Sequence, residues 1–178
     1  MSATTKKHKA EAPIRLRFNI FICSTSRYRQ LQKKAKSDDI SGDLIESMLR
    51  NAGHIIQLRK TIADDETMIR EAVQDTLKSA NSDVAIFCGG TGITPLDMTI
   101  ESVLPFLEKV IPGFGEIFRR LSFDKIGSAS VLSRAIAGVT RGKVFFCIPG
   151  SPDAVKLSVE RLILPEAPHI VKHAREQR

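Results

Sequence analysis

Three stretches of this chain are almost continuously apolar, and each breaks off at a loop of glycine or hydroxyl residues. Residues 14–23 close with Phe18-Asn19-Ile20-Phe21-Ile22-Cys23 and meet Ser24-Thr25-Ser26-Arg27. Residues 84–88 meet Gly89-Gly90-Thr91-Gly92, and residues 144–148 meet Pro149-Gly150-Ser151-Pro152. A strand with one wet face alternates apolar and polar residues, whereas a strand apolar throughout needs cover on both faces. With 55–59 as a fourth run, these segments are expected to be strands. Helical patterns lie between them. Residues 44–51 stop at Gly53, and Asp64 is expected to cap a helix whose apolar face carries Met68, Ile69, Ala72, Val73 and Leu77. Further helices are expected over 113–122, 130–138, 153–164 and 165–175. This alternation predicts an α/β fold, a three-layer αβα sandwich around a mostly parallel central sheet.

The 178 residues suit one domain, expected over 14–178, after a basic flexible tail over 1–13. No apolar run reaches the roughly 18 residues of a membrane span, and the tail has no apolar core of a secretory signal. Cys23, Cys88 and Cys147 sit in or beside apolar runs and read as buried thiols of a reducing cytoplasm. The histidines, at 8, 54, 169 and 173, are not expected to form a ligand cluster. A net charge of +7 favours an anionic partner. Much of the excess lies in Lys6, Lys7, Lys9, Arg15, Arg17, Arg27, Arg29, Lys33, Lys34 and Lys36. With one Tyr, no Trp and no nucleic-acid-binding motif, a solvated basic face is at least as good a reading as a nucleic-acid surface.

In open α/β sheets, ligands bind outside the carboxyl ends of the strands. A pocket is therefore expected where the three loops meet. Gly89, Gly90 and Gly92 lack Cβ atoms, so backbone N–H groups there can approach a phosphate closely, and Thr91 adds a hydroxyl. The loop is neither a P-loop, since no lysine follows Gly92, nor a dinucleotide fingerprint. Asp97 follows it. Its carboxylate could hold a magnesium ion that accompanies phosphates, or it could cap a helix start within Thr94-Pro95-Leu96-Asp97.

Six motifs in order give that loop a context. They are Asp39-Ile40-Ser41-Gly42, Ala63-Asp64-Asp65-Glu66, the glycine loop through Asp97 and Thr99, Pro112-Gly113-Phe114-Gly115-Glu116, Ile126-Gly127 with Leu132-Ser133-Arg134-Ala135, and Pro149-Gly150-Ser151-Pro152. The series closely resembles the molybdenum cofactor biosynthesis family typified by MogA and MoaB, whose domain also occurs in gephyrin. Ser24-Thr25-Ser26-Arg27-Tyr28 and the helical C-terminus are more similar to MoaB. The resemblance implies a molybdopterin-binding fold that assembles as a trimer or hexamer. It implies adenylyl transfer from Mg-ATP to molybdopterin in the cytoplasm, upstream of a metal-insertion protein. A catalytically weak pterin-binding or scaffold protein of the same pathway is the alternative.

The resemblance also implies roles for residues. Asp97 would be catalytic, positioning magnesium or substrate. Asp65 would be a second acid, with Asp64 one position away and the helix dipole as a plainer explanation of both. Asp39 and Ser41 would line the pocket or start a helix. Gly89, Gly90, Thr91, Gly92, Gly150 and Ser151 would bind phosphate, and Ser24 and Ser26 would form the rim or a turn. Glu116 and Arg134 match the family as site residues, a structural ion pair or a subunit contact. Arg27, Arg29, Lys33 and Lys34 could attract a triphosphate, although a mobile solvated loop is the plainer expectation for this basic segment. Family members often carry Arg before the acid at 97, where this chain has Leu96. A replacement cation is expected from the basic segment after the first strand.

Overall fold

The computed structural model describes residues 13, 15–34 and 38–176. Apart from Pro13, the basic tail expected over 1–13 lies outside the described residues, as does Lys36. The strands are β1 (Arg17–Cys23), β2 (Ile55–Ile62), β3 (Val84–Cys88), β4 (Lys109–Val110), β5 (Ile136–Thr140) and β6 (Lys143–Ile148). They form one sheet in the order β2-β1-β3-β6-β5-β4. The first four strands of that order run parallel, and β5 and β4 complete the sheet antiparallel. The helices are α1 (Thr25–Gln32), α2 (Ile40–Asn51), α3 (Glu66–Lys78), α4 (Thr99–Val103), α5 (Pro112–Ile126), α6 (Pro152–Ser158) and α7 (Leu164–Arg175).

Both faces of the central strands are buried, which is why those strands are apolar throughout. Phe18, Ile20 and Ile22 of β1 share one core with Val84, Ile86, Val144 and Phe146. Helices α2, α5, α6 and α7 close it with Ile45, Leu49, Phe114, Phe118, Val155 and Val171. Phe21, Ala85, Phe87, Phe145 and Cys147 point the other way, against Ile69, Val73, Ile100 and Val103 of α3 and α4. Phe21 and Phe87 stack there with ring centroids 4.8 Å apart. The one polar side chain inside β1, Asn19, donates to Thr76 Oγ1 at 3.1 Å. The three-layer αβα sandwich is as the sequence predicts.

Several local expectations are corrected. Residues 130–138 are not a helix: a 3₁₀ turn, Gly127–Leu132, gives way to β5. Strand β5 joins β6 through Arg141 and Gly142, both at positive φ (48° and 70°), a two-residue hairpin whose twist matches the right-handed twist of the paired strands. The segment after β1, expected as a basic loop, is helix α1. Asp65, not Asp64, caps α3, accepting from Met68 N at 3.0 Å. The break expected at Pro165 is real but small. A π turn, Val159–Ile163, links α6 to α7, and Leu164 N donates five residues back to Val159 O. Proline cannot donate, so the ladder shifts there instead of ending.

The amino edge of the sheet is tied by one buried carboxylate. Asp83, directly before β3, accepts from Arg17 N at 2.8 Å, from the Arg17 guanidinium at 3.0 Å and from Arg175 Nη2 at 2.7 Å. These contacts join β1, β3 and the end of α7. Burial alone would raise the Asp83 pKa, but the two arginines outweigh it and hold the group well below the usual carboxylate range. Beside it, the Lys143 ammonium donates to Ser79 O and Ser82 O, and burial lowers its pKa.

An Asp83→Asn variant is expected to lose roughly 1–3 kcal/mol, since both arginines keep partial contact with water. A carboxylate whose folded pKa is depressed stabilises the fold above its unfolded value of about 4 and loses that contribution as pH falls. Urea midpoints measured from neutral to acid pH should show a constant gap between wild type and variant that narrows below pH ~4.

Candidate active site

A cleft of about 400 Å³ opens at the carboxyl ends of β1, β3 and β6. Cys23 and Cys88 form its floor, and residues 89–92, 132–134 and 149–150 form its walls, with Ser24, Arg27 and Asp97 on the rim. Burial raises both thiol pKa values, that of Cys88 to about 12, so the floor is neutral. Cys88 Sγ donates to Pro149 O at 3.8 Å.

The glycine loop occupies space that no side chain could share. Gly89 has φ +104°, and a Cβ there would lie 2.3 Å from Cys23 O. Gly90 has φ +59°, and a Cβ would lie 2.0 Å from Asp64 Oδ1 and 2.5 Å from Thr99 Oγ1. The loop is pinned by Gly89 N donating to Ile148 O and Thr99 N donating to Gly90 O, each at 3.0 Å. It is also pinned by Arg134, whose Nε donates to Thr91 O at 2.9 Å. The same guanidinium holds both oxygens of Glu101, at 2.7 and 3.2 Å.

Two carboxylates flank this loop, and their pKa values are shifted in opposite directions. Asp97 Oδ2 accepts from Thr94 N at 2.9 Å and Thr94 Oγ1 at 2.7 Å. Burial would raise its pKa, but these donors, the Gly92 backbone and the Arg134 charge lower it. Asp64 is raised, first by burial and further by the negative charge of Asp97, against a backbone hydrogen bond from Thr25. Its Oδ2 accepts from Thr25 N at 3.3 Å, while Oδ1 is buried without a partner among the described residues. Environments that push neighbouring acids apart are a mark of acid–base sites.

The structure sorts the other expected site residues. Ser24 caps α1, accepting from Arg27 N at 3.5 Å, with Ser26 Oγ at 3.2 Å from its hydroxyl. Arg27 lines the cleft, so the segment after β1 does bring a cation there; Arg29, Lys33 and Lys34 do not line it. Asp39 caps α2 through Gly42 N at 3.0 Å and pairs with Arg59 at 2.6 Å, with Arg27 Nη1 4.0 Å away. Ser41 is buried and donates to Gly150 O at 2.7 Å, holding the third loop from behind. Ser151 caps α6 and lines a neighbouring cleft with Phe118 and Asp153. Asp65 and Glu116 are exposed and line neither cleft. Leu96 is 77% exposed at the loop tip. The sequence gives Arg134 as a site residue or an ion pair without its partners Glu101 and Thr91, and it does not show Asp64 facing the loop or the two thiols of the floor. A one-residue ambiguity at Asp64-Asp65 was the only signal for Asp64.

Among the described residues, no group of three or more His, Cys, Asp or Glu side chains is arranged to hold a metal ion. A magnesium ion here would have to arrive with phosphate oxygens and take one or two carboxylates from the protein. That is the usual way this ion is held. The ionised Asp97 and the unpartnered Asp64 Oδ1 fit that demand.

A family model described as "Probable molybdopterin binding domain" matches residues 19–169. Molybdenum cofactor biosynthesis protein B of Bacillus subtilis is 38% identical over 176 residues, 98% of this chain and 99% of that protein. Molybdopterin adenylyltransferase of Pyrococcus furiosus is 40% identical over 175 residues, 96% of this chain and 98% of that one. The crystal structure of the tungsten cofactor synthesizing protein MoaB from the same organism has a TM-score of 0.81 and 38% identity, covering 93% of this chain and 100% of that chain.

A Gly90→Ala change should destabilise the protein by more than about 2 kcal/mol, because the strained φ and the contacts with Asp64 and Thr99 add. Gly53→Ala, at φ +83° with nothing within 4 Å, should cost only about 1 kcal/mol. Urea unfolding of both variants checks the difference.

Proposed function

The chain belongs to the molybdopterin-binding family of molybdenum cofactor biosynthesis proteins, and on that premise we propose that it is a molybdopterin adenylyltransferase. Its substrates are ATP and molybdopterin. The observation that carries this reading is the ionised Asp97 held beside the Arg134 clamp, where the glycine loop meets two other strand-end loops. ATP and the phosphate of the pterin are both anions, so a site that joins them must neutralise charge and align the attacking oxygen.

In the reaction a pterin phosphate oxygen forms a bond to the α-phosphorus of ATP. The bond from that phosphorus to the oxygen bridging the β-phosphate breaks, and pyrophosphate leaves. Gly89, Gly90, Thr91, Gly92 and Gly150 supply close backbone to the phosphates, and Arg27 on the rim attracts the triphosphate. Ser24 and Ser26 complete the rim, while Ser41 and Asp39 act from behind by holding the third loop and the start of α2. Asp97 positions the substrate phosphates or their metal, and Asp64, not Asp65, is the second acid. Asp97 would hold a magnesium ion together with substrate oxygens, and the ion would supply neutralisation of the phosphate charge. The enzyme works in the cytoplasm as a trimer or hexamer and passes its product to a metal-insertion protein. No helix among the described residues is long and apolar enough to cross a membrane.

Pyrophosphate release from ATP should depend strictly on added molybdopterin. Asp97→Asn keeps a side chain that can accept from Thr94, so the loop should persist. Its kcat should nevertheless fall about 100-fold with pterin binding changed only a few-fold. Unchanged turnover would remove Asp97 from the chemistry. Pterin binding by the wild type without any pyrophosphate release would leave a binding or scaffold protein.

A further inference from the structure

Arg134 stands near two carboxylates, and only one of them holds it. Its terminal nitrogens donate to Glu101, Nη1 to Oε1 at 2.7 Å and Nη2 to Oε2 at 3.2 Å. Among the described residues its ion pair is with Glu101 alone. Asp97 is nevertheless near enough for the Arg134 charge to favour its ionised form, after the hydrogen bonds from Thr94 and Gly92 and against burial. Arg134 is not among the charges that act on Asp64. Glu101 and Asp97 thus compete for one guanidinium. A two-pronged arginine–carboxylate pair is the stronger arrangement, and it fixes the plane of the guanidinium. The position of Glu101 is set from the core. Thr99, Ile100, Ser102 and Val103 of α4 are buried, so residue 101 is the one that faces out. Thr99 N, bonded to Gly90 O at 3.0 Å, ties the same helix to the glycine loop.

We propose that Glu101 is a positioning residue for adenylyl transfer, one that occupies both terminal nitrogens of Arg134 and so withholds the guanidinium from Asp97. The inference rests on the adenylyltransferase reading and adds to it a reason why Asp97 can serve the substrate. An arginine with no other carboxylate in reach would pair with Asp97 directly. Its N–H donors would then fill the Asp97 oxygens before a phosphate or a phosphate-borne magnesium ion arrived. With Glu101 in place, Arg134 acts on Asp97 through space, favouring its charge without covering it. The guanidinium has room to move once released. Asp97, Glu101 and Arg134 also line a cleft of about 300 Å³ with Ile93, Thr94 and Met98. The Arg134 and Glu101 side chains are 33% and 46% exposed, and ion pairs as open as this contribute little to stability. Removing Glu101 is therefore read at the site and not in the fold.

The test compares wild type with Glu101→Gln, Arg134→Gln and the double variant, each as the full chain. Glu101→Gln keeps the size of the side chain and gives up its charge. In a crystal structure of the substrate-free Glu101→Gln protein, a terminal nitrogen of Arg134 should lie within hydrogen-bond distance of an Asp97 oxygen. Its kcat for pterin-dependent pyrophosphate release should fall about tenfold, with KM for molybdopterin changed less than roughly threefold and the urea midpoint little moved. Because Glu101 acts through Arg134, the double variant should lose no more than about twofold beyond Arg134→Gln alone. The proposal fails if Arg134 stays off Asp97 in the variant structure, if Glu101→Gln keeps wild-type kcat, or if the two single losses multiply in the double variant. A wild type that releases no pyrophosphate overturns the adenylyltransferase reading instead. The variant structure then still decides whether Glu101 withholds Arg134 from Asp97.

Discussion

The register of the three central parallel strands is the constraint on which the candidate site depends. Ile22 pairs with Cys88, and Cys88 pairs with Ile148, so β1, β3 and β6 end within one residue of a common row. Their loops must leave the sheet at the same level, and that level becomes the cleft. A slip of one residue in any strand would exchange its two faces, exposing one core to the other's neighbours. The apolar packing on both sides therefore also fixes the geometry of the loops. Contacts between the loops tighten it further, since a Cβ on Gly150 would lie 3.2 Å from Gly89 Cα.

Charge at the cleft is arranged by the elements behind it. The carboxylates of Asp64 and Asp97 converge on the glycine loop, and two negative groups so placed would repel an incoming phosphate. Burial, and then the charge of Asp97, raise the Asp64 pKa, so the fold disfavours the charge of one of the two. Asp97 stays ionised because donors and Arg134 favour its charge. The opposite edge of the sheet shows the contrasting case. There Asp83 is fully paired by Arg17 and Arg175, and its charge serves only to join strands and helix.

The sandwich and the position of the cleft were legible because they follow from period and from strand ends. Residues 84–88 and 144–148 read as buried strands through unbroken apolarity, a signal that survives without any tertiary information. The edge of the sheet was harder to read. Strand β5 contains Gly138 and lies beside a 3₁₀ turn, and its identity rests on the Arg141-Gly142 hairpin and on pairing with β6. Strand β4 is two residues long and exists only through β5. Within the site, Asp64 and Asp65 are chemically equal in sequence. Which one caps α3 and which faces the loop depends on the path of the chain after β2, and Thr25 on a distant helix holds that choice.

The residue at 96 shows the same limit from another side. A basic residue was expected there by resemblance, and Leu96 instead projects into solvent. Two arginines line the cleft, one from α1 and one from the segment before β5. Of these, Arg134 is held at three acceptors, the Thr91 carbonyl and both Glu101 oxygens, so it cannot swing to follow a ligand. Among the described residues, Arg27 is held only by the Asp38 carbonyl and a distant Asp39. A fixed cation preorganises a site, whereas a loosely held one can adapt to an incoming anion. The cleft thus carries one rigidly held and one loosely held cation from elements far apart in the chain, while position 96 carries none.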